Sequence, residues 1–300
     1  MACPLIWFSC LSVVLSFTSP LPDKPTPIAH LFSFGNFSNA RAISIAPTGL
    51  VYIVDTGNNK VKVYSPAGDS IREIGGYGWG QLEFDRPYDI ALGTGLNFYV
   101  ADYGNHRVQR FDKDLDYIST LYTRESEELS QRFGYPAGVA LSRLGDLFLL
   151  DGENTRVVKV NTFSVIERTF GGIDAGKGRL RNPRKVRVTN KELVCVLDER
   201  RVVVFDNFGN YVRTIGQGIL SDAAGMAVDK DTLYIVDGKD VLLFNSEGKP
   251  LEILEPKSAA KDVANKRFGD VAVYRDRLYL LDEREVMVFG WTNRSDPEND

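Results

Sequence analysis

Residues 96–111, LNFYVADYGNHRVQRF, set out the unit from which most of the chain is built. An apolar run ends at Asp102, a polar turn carries Gly104, Asn105 and Arg107, and a second apolar run starts at Val108. The same plan recurs at 50–64, 147–160, 193–205, 233–244 and 278–289. The aspartates that mark it, Asp55, Asp102, Asp151, Asp198, Asp237 and Asp282, stand 39 to 49 residues apart. Self-similarity at such a period signifies an array of one supersecondary unit, each copy burying its apolar faces against the next.

Each repeat reads as four strands. The first is rich in small residues, at 42–46, 89–93, 138–142, 185–189, 225–229 and 270–274. The second is almost wholly apolar, as in Val51-Tyr52-Ile53-Val54, which indicates a strand covered on both faces. The third begins at Val61, Val108, Val157, Val202, Val241 or Val286, and the fourth follows a turn such as Pro66-Ala67-Gly68-Asp69. The sixth repeat has no fourth strand of its own, whereas 28–35, IAHLFSFG, is strand-like and unpartnered. A ring leaves no open edge if this N-terminal strand completes the last sheet. The expected fold is therefore all-β, a six-bladed β-propeller of four-stranded antiparallel blades closed by residues 28–35.

The run from Pro87 to Leu92, followed by Tyr99-Val100-Ala101-Asp102-Tyr103-Gly104-Asn105-His106-Arg107-Val108, resembles the NHL-repeat family of six-bladed propellers. The joints at 75–84, GGYGWGQLEF, and 171–178, GGIDAGKG, are similar to that family's glycine-rich linkers. The likeness covers about 28–291. It is specific for fold and leaves function open, because such folds host many roles.

Net charge is −4, so no global positive field draws the chain to nucleic acid or anionic lipid. Residues 1–18 contain a short apolar run, from Leu5 to Phe17, that reads as an export signal although no basic residue precedes it. Residues 19–27 read as an extended leader and 292–300 as a polar tail. No other stretch is long and apolar enough to span a bilayer. Cys3 and Cys10 fall in the signal, which leaves Cys195 with no intramolecular partner. Export without disulfides suits a bacterial periplasm or a secreted bacterial-type protein, and a monomer is expected.

The six recurring aspartates are read as structural, each closing its turn beside a cation: Lys60, Arg107, Arg156, Arg200, Lys239 or Arg284. The candidate binding residues lie elsewhere. First strands line the channel, whose mouth should bear Arg41, Tyr88, Asp89, Arg184, Lys185 and Asp270. Arg187 stands where other repeats place Ser44, Ala91, Ala140, Ala227 and Ala272, so it must reach water, a carboxylate or a bound anion. Tyr77 and Trp79, in the first glycine-rich joint, are recognition anchors or packing over the neighbouring blade. His106 sits at a turn tip. The only other histidine is His30, so a three-histidine zinc site is unavailable.

These features predict an exported, non-catalytic propeller that binds a protein, peptide or cell-envelope component. No cofactor is required. The alternative is a lyase or hydrolase at the channel mouth, with calcium on Asp89 and Asp270, since oxygen ligands suit that ion. A third reading, RNA binding, rests on the basic cluster Lys177, Arg179, Arg181, Arg184 and Lys185 and is disfavoured by the acidic balance.

Overall fold

The structure, a computed structural model, describes residues 21–22, 24–93, 97–162, 164–257, 263 and 266–291. The segment 1–18 and the tail 292–300 lie outside the described residues. Among the described residues no helix is long and apolar enough to cross a membrane.

Four sheets are separate four-stranded antiparallel meanders, each in simple sequence order. The first holds β2 (Ala40–Ile45), β3 (Val51–Asp55), β4 (Lys60–Tyr64) and β5 (Ser70–Gly75). The second holds β6 (Pro87–Leu92), β7 (Asn97–Asp102), β8 (Arg107–Asp112) and β9 (Tyr117–Leu121). The third comprises β10 (Pro136–Leu141), β11 (Leu147–Asp151), β12 (Arg156–Val160) and β13 (Ile166–Phe170). The fourth comprises β14 (Pro183–Val188), β15 (Val194–Asp198), β16 (Arg201–Phe205) and β17 (Tyr211–Ile215).

The remaining strands correct the expectation of six separate blades. β18 (Ala223–Asp229), β19 (Thr232–Asp237), β20 (Asp240–Asn245) and β21 (Pro250–Lys257) share one continuous eight-stranded sheet with β22 (Asp270–Tyr274), β23 (Arg277–Leu281) and β24 (Val286–Gly290). The joining strand is β1 (Thr26–Phe34). The protein is thus a propeller of four discrete blades whose ring is completed by this larger sheet.

β1 pairs antiparallel with β24, setting Phe32 opposite Val288 and Phe34 opposite Val286, as its strand-like pattern predicts. It also pairs in parallel with β21, Thr26 opposite Leu254 through Ala29 opposite Lys257. The cause is length. β21 runs eight residues where β9, β13 and β17 run five, so its far end meets the start of β1.

The first strands β2, β6, β10, β14, β18 and β22 touch in succession, and β22 touches β2, so they enclose a central axis. The second strands VYIVD, LFLLD and VCVLD are buried at every position, because a sheet lies against each of their faces. The core accordingly lies between sheets. Tyr52, Val63, Phe84, Phe98 and Phe111 join the first two, while Ile43, Ile53, Tyr279, Leu281 and Val288 join the first to the eight-stranded sheet. Cys195 is buried in such a layer, and burial pushes its thiol pKa up to about 12.

Candidate functional site

The recurring aspartates end second strands, and their carboxylates accept the backbone N–H groups that lead into first strands. Asp55 accepts from Ser38 (2.8 Å), Asp102 from Asp85 (2.8 Å), Asp151 from Gly134 (3.2 Å), Asp198 from Arg181 and Asn182, and Asp237 from Ser221. Asp282 accepts from Arg284 and Glu285 in its own turn. Satisfying buried donors in this way accounts for the recurrence without any chemistry.

The cations differ in part from those expected. Arg107 and Arg156 pair with Asp102 and Asp151 at 2.7 and 3.0 Å as predicted. Asp55 takes Lys62 instead, since Lys60 turns to Glu73; Asp198 takes Arg201 and Asp282 takes Lys266. Asp237 is held by backbone and hydroxyl donors of Ser221, not by Lys239.

Deeper in the ring, four charged side chains meet across the axis. Lys185 Nζ lies 3.2 Å from Asp89 Oδ1 and 2.8 Å from Asp270 Oδ2, and donates to the Arg41 carbonyl oxygen at 3.1 Å. Arg187 donates to Asp89 at 3.0 and 3.3 Å and approaches Asp270 at 3.7 Å. Asp89 also accepts from the Val139 N–H and Asp270 from the Ile43 N–H, so each carboxylate ties its own first strand to the next. Both carboxylates are fully buried. Burial alone would raise the Asp89 pKa; the Arg187 and Lys185 charges, with bonds from Arg187 and Val139, outweigh it and hold the carboxyl below its ordinary range.

Arg187 therefore reaches a carboxylate. This donor set suits the calcium reading poorly, because two fixed cations already neutralise the two carboxylates and a divalent ion would sit beside both. Among the described residues no group of three or more histidine, cysteine, aspartate or glutamate side chains could hold a metal ion.

Above this quartet opens a cavity of about 500 Å3, lined by the starts of the first strands and by the turns after the second strands. Arg41, Arg181 and Arg184 stand exposed around it, with Glu283 as the one acidic side chain. The Arg41 guanidinium lies 4.4 Å over the Tyr88 ring, whose other partner is Tyr103, stacked at 4.1 Å and 14°. Tyr103 meets Tyr135 at 5.1 Å, and Tyr135 meets His106 at 4.0 Å. His106 has a positive φ of 52° at its turn, and its Nδ1 accepts from Arg124 at 2.7 Å and from the Tyr135 N–H at 3.2 Å. Burial lowers its pKa and the Arg124 charge lowers it further.

The joint at 75–84 folds around Arg107, which is buried and donates to the carbonyls of Trp79 (2.6 Å), Gly80 (2.9 Å) and Glu83 (2.9 Å). The Trp79 ring lies 4.7 Å from the same guanidinium and edge-on to Tyr122, so this tryptophan does pack over the neighbouring blade. Tyr77 projects into solvent, 77% exposed.

A family model described as the NHL repeat matches residues 84–111, which run through β6 and β7 into β8. This chain carries an NHL repeat. The protein brain tumor of Drosophila melanogaster is 30% identical over 151 residues, covering 48% of this chain and 14% of that relative. NHL repeat-containing protein 3 of Homo sapiens is 35% identical over 81 residues, 26% of this chain and 23% of its own length. The chain thus spans under a quarter of either relative. Among solved structures, catalytically inactive virginiamycin B lyase of Staphylococcus aureus with quinupristin superposes with a TM-score of 0.60 at 11% identity, covering 88% of this chain and 98% of that one. At that identity the likeness shows the fold alone.

On the NHL-repeat propeller, the residues singled out from sequence fall into three places. Arg41, Tyr88 and Lys185 line the mouth; Asp89, Asp270 and Arg187 lie beneath it with Lys185; Tyr77 and Trp79 stand on the joint, away from both. His106 reaches the mouth only through Tyr135 and Tyr103. Sequence reasoning missed Tyr103 and Tyr135. Tyr103 follows Asp102 and Tyr135 precedes β10, and only ring geometry brings Tyr103 beside Tyr88 and Tyr135 beside Tyr103.

Proposed function

We propose that this NHL-repeat protein is a non-catalytic binding module that docks a protein or peptide, a cell-envelope component included, at the channel mouth. The observation that carries this reading is the 500 Å3 cavity with a tyrosine stack on one wall and three guanidinium groups without a carboxylate partner among the described residues. Aromatic and arginine side chains around a concavity are the usual anchors of protein recognition. The quartet below gives the mouth a fixed floor in which both carboxylates are paired with Lys185 and Arg187. That weighs against the calcium-dependent lyase or hydrolase, for which a shared fold is no support.

A photoreactive phenylalanine analogue introduced at position 181 of the whole chain tests the proposal in the native host. Polypeptide adducts should form there and be absent when the analogue replaces Arg143, which is exposed at the opposite end of β10. Equal labelling at both positions, or none at either, would count against a docking mouth. Export, proposed from the apolar run between Leu5 and Phe17, is checked by N-terminal sequencing of the mature protein. A start at Met1 in a cytoplasmic fraction would refute it.

A further inference from the structure

We infer that the mouth selects an acidic peptide segment, recognised through its carboxylates by Arg41, Arg181 and Arg184. This deepens the docking function proposed above and rests on it. Four features of the mouth lead to the inference.

First, charge is distributed unevenly over depth. Lys185 and Arg187 are neutralised by Asp89 and Asp270, so they offer nothing to a visitor. The rim arginines are different. Among the described residues none of the three has a carboxylate partner, and the one side-chain bond recorded for them runs from Arg184 to the Ala223 carbonyl at 3.1 Å. Against them stands only Glu283. The mouth is positive on a chain of net charge −4, so its local charge runs against the overall balance.

Second, Arg41 is preorganised. Its guanidinium lies 4.4 Å over the Tyr88 ring, a contact that restrains the side chain, and its N–H donors have no carboxylate partner among the described residues. Little further side-chain ordering is needed on binding.

Third, the Tyr88 ring is already engaged by two neighbours. Tyr88 has Arg41 over its ring on one contact and Tyr103 stacked at 4.1 Å on another, and Tyr103 in turn meets Tyr135. Base recognition on single strands needs an aromatic face to stack against. With Tyr88 engaged, the donors at hand are the guanidinium groups beside it, which match carboxylates and peptide carbonyls.

Fourth, the cavity is about 500 Å3, too small to hold a folded domain and suited to an extended segment or a chain end. The sides of the mouth are first-strand starts held by buried aspartates, so it is rigid.

The test uses the full chain and a fluorescein-labelled peptide of alternating aspartate and serine, titrated by fluorescence anisotropy. Binding should weaken steeply between low salt and physiological salt. Arg41→Gln and Arg184→Gln should each weaken it roughly tenfold or more, since a hydrogen-bonded charge partner is removed, and Arg143→Gln at the far end should leave it unchanged. A peptide with asparagine in place of aspartate should not bind. A labelled oligouridylate is the competing probe. If it binds more tightly than the acidic peptide and loses affinity in the same two variants, the mouth is a nucleic-acid site and the inference is overturned. Failure of the acidic peptide to bind at all also overturns it. That last result leaves the docking function standing if polypeptide adducts form at position 181, so the two failures are distinguishable.

Discussion

Lys185 is the residue on which the axis of the molecule depends. Its ammonium group bridges two fully buried carboxylates that belong to different sheets. Removing one partner from a buried ion cluster strands the other charge in a medium that cannot solvate it. Lys185→Met should therefore lower stability by about 3–5 kcal/mol, read from the urea midpoint at neutral pH. A loss under about 1 kcal/mol would mean that water reaches the quartet.

His106 gives a prediction with a definite sign. The fold holds its imidazole neutral, because burial and then the Arg124 charge lower its pKa. The unfolded chain titrates this group near its ordinary value of about 6.5 and so takes up the proton first as pH falls back from alkaline conditions. A group bound more weakly by protons when folded costs stability as they are added. The contribution is complete above about pH 6.5 and is lost as pH falls from there through the folded pKa. His106→Asn tolerates the positive φ and keeps an acceptor, so it should flatten the dependence of the thermal midpoint on pH between about 7 and 5. An unchanged slope would assign that dependence to another group.

At the scale of elements, β1 is the piece with the largest consequence. It covers the open side of β24 and of β21 at once. Deleting residues 28–35 exposes two strand edges, and unpaired edges recruit other chains. Light scattering of the truncated protein should show self-association; a monomer as stable as the parent would refute the role. The pairing with β24 was legible because a strand pattern at the start and a missing strand at the end imply each other. The pairing with β21 was not legible. Residues 250–255, PLEILE, follow a turn as the other fourth strands do, and nothing local marks the extra length of β21. Likewise the aspartates could be recognised as structural from their period, while their cations could not be assigned, because Lys60 and Lys62 both follow Asp55 and only cross-strand register decides between them.

For the whole molecule, the sheet arrangement predicts an uneven pattern of protection. β5, β9, β13 and β17 end their sheets with no strand paired on their outer edge among the described residues, whereas β21 lies inside the eight-stranded sheet. Amide hydrogen exchange followed by mass spectrometry should thus be slower across 250–257 than across 70–75 or 117–121. Equal exchange would show that the β1–β21 pairing opens freely. The mouth was visible in the sequence only in outline: first strands named Arg41, Tyr88 and Lys185, but the tyrosine stack draws on the turns of separate repeats. Such neighbours are fixed by the ring, not by any spacing along the chain.

The join between β1 and β24 links residues that lie more than two hundred positions apart in the chain. On the ribosome, β1 has to wait for β24 to be made. Until then the nascent ring carries sticky borders at both of its ends, and it closes only once residues 286–290 have emerged.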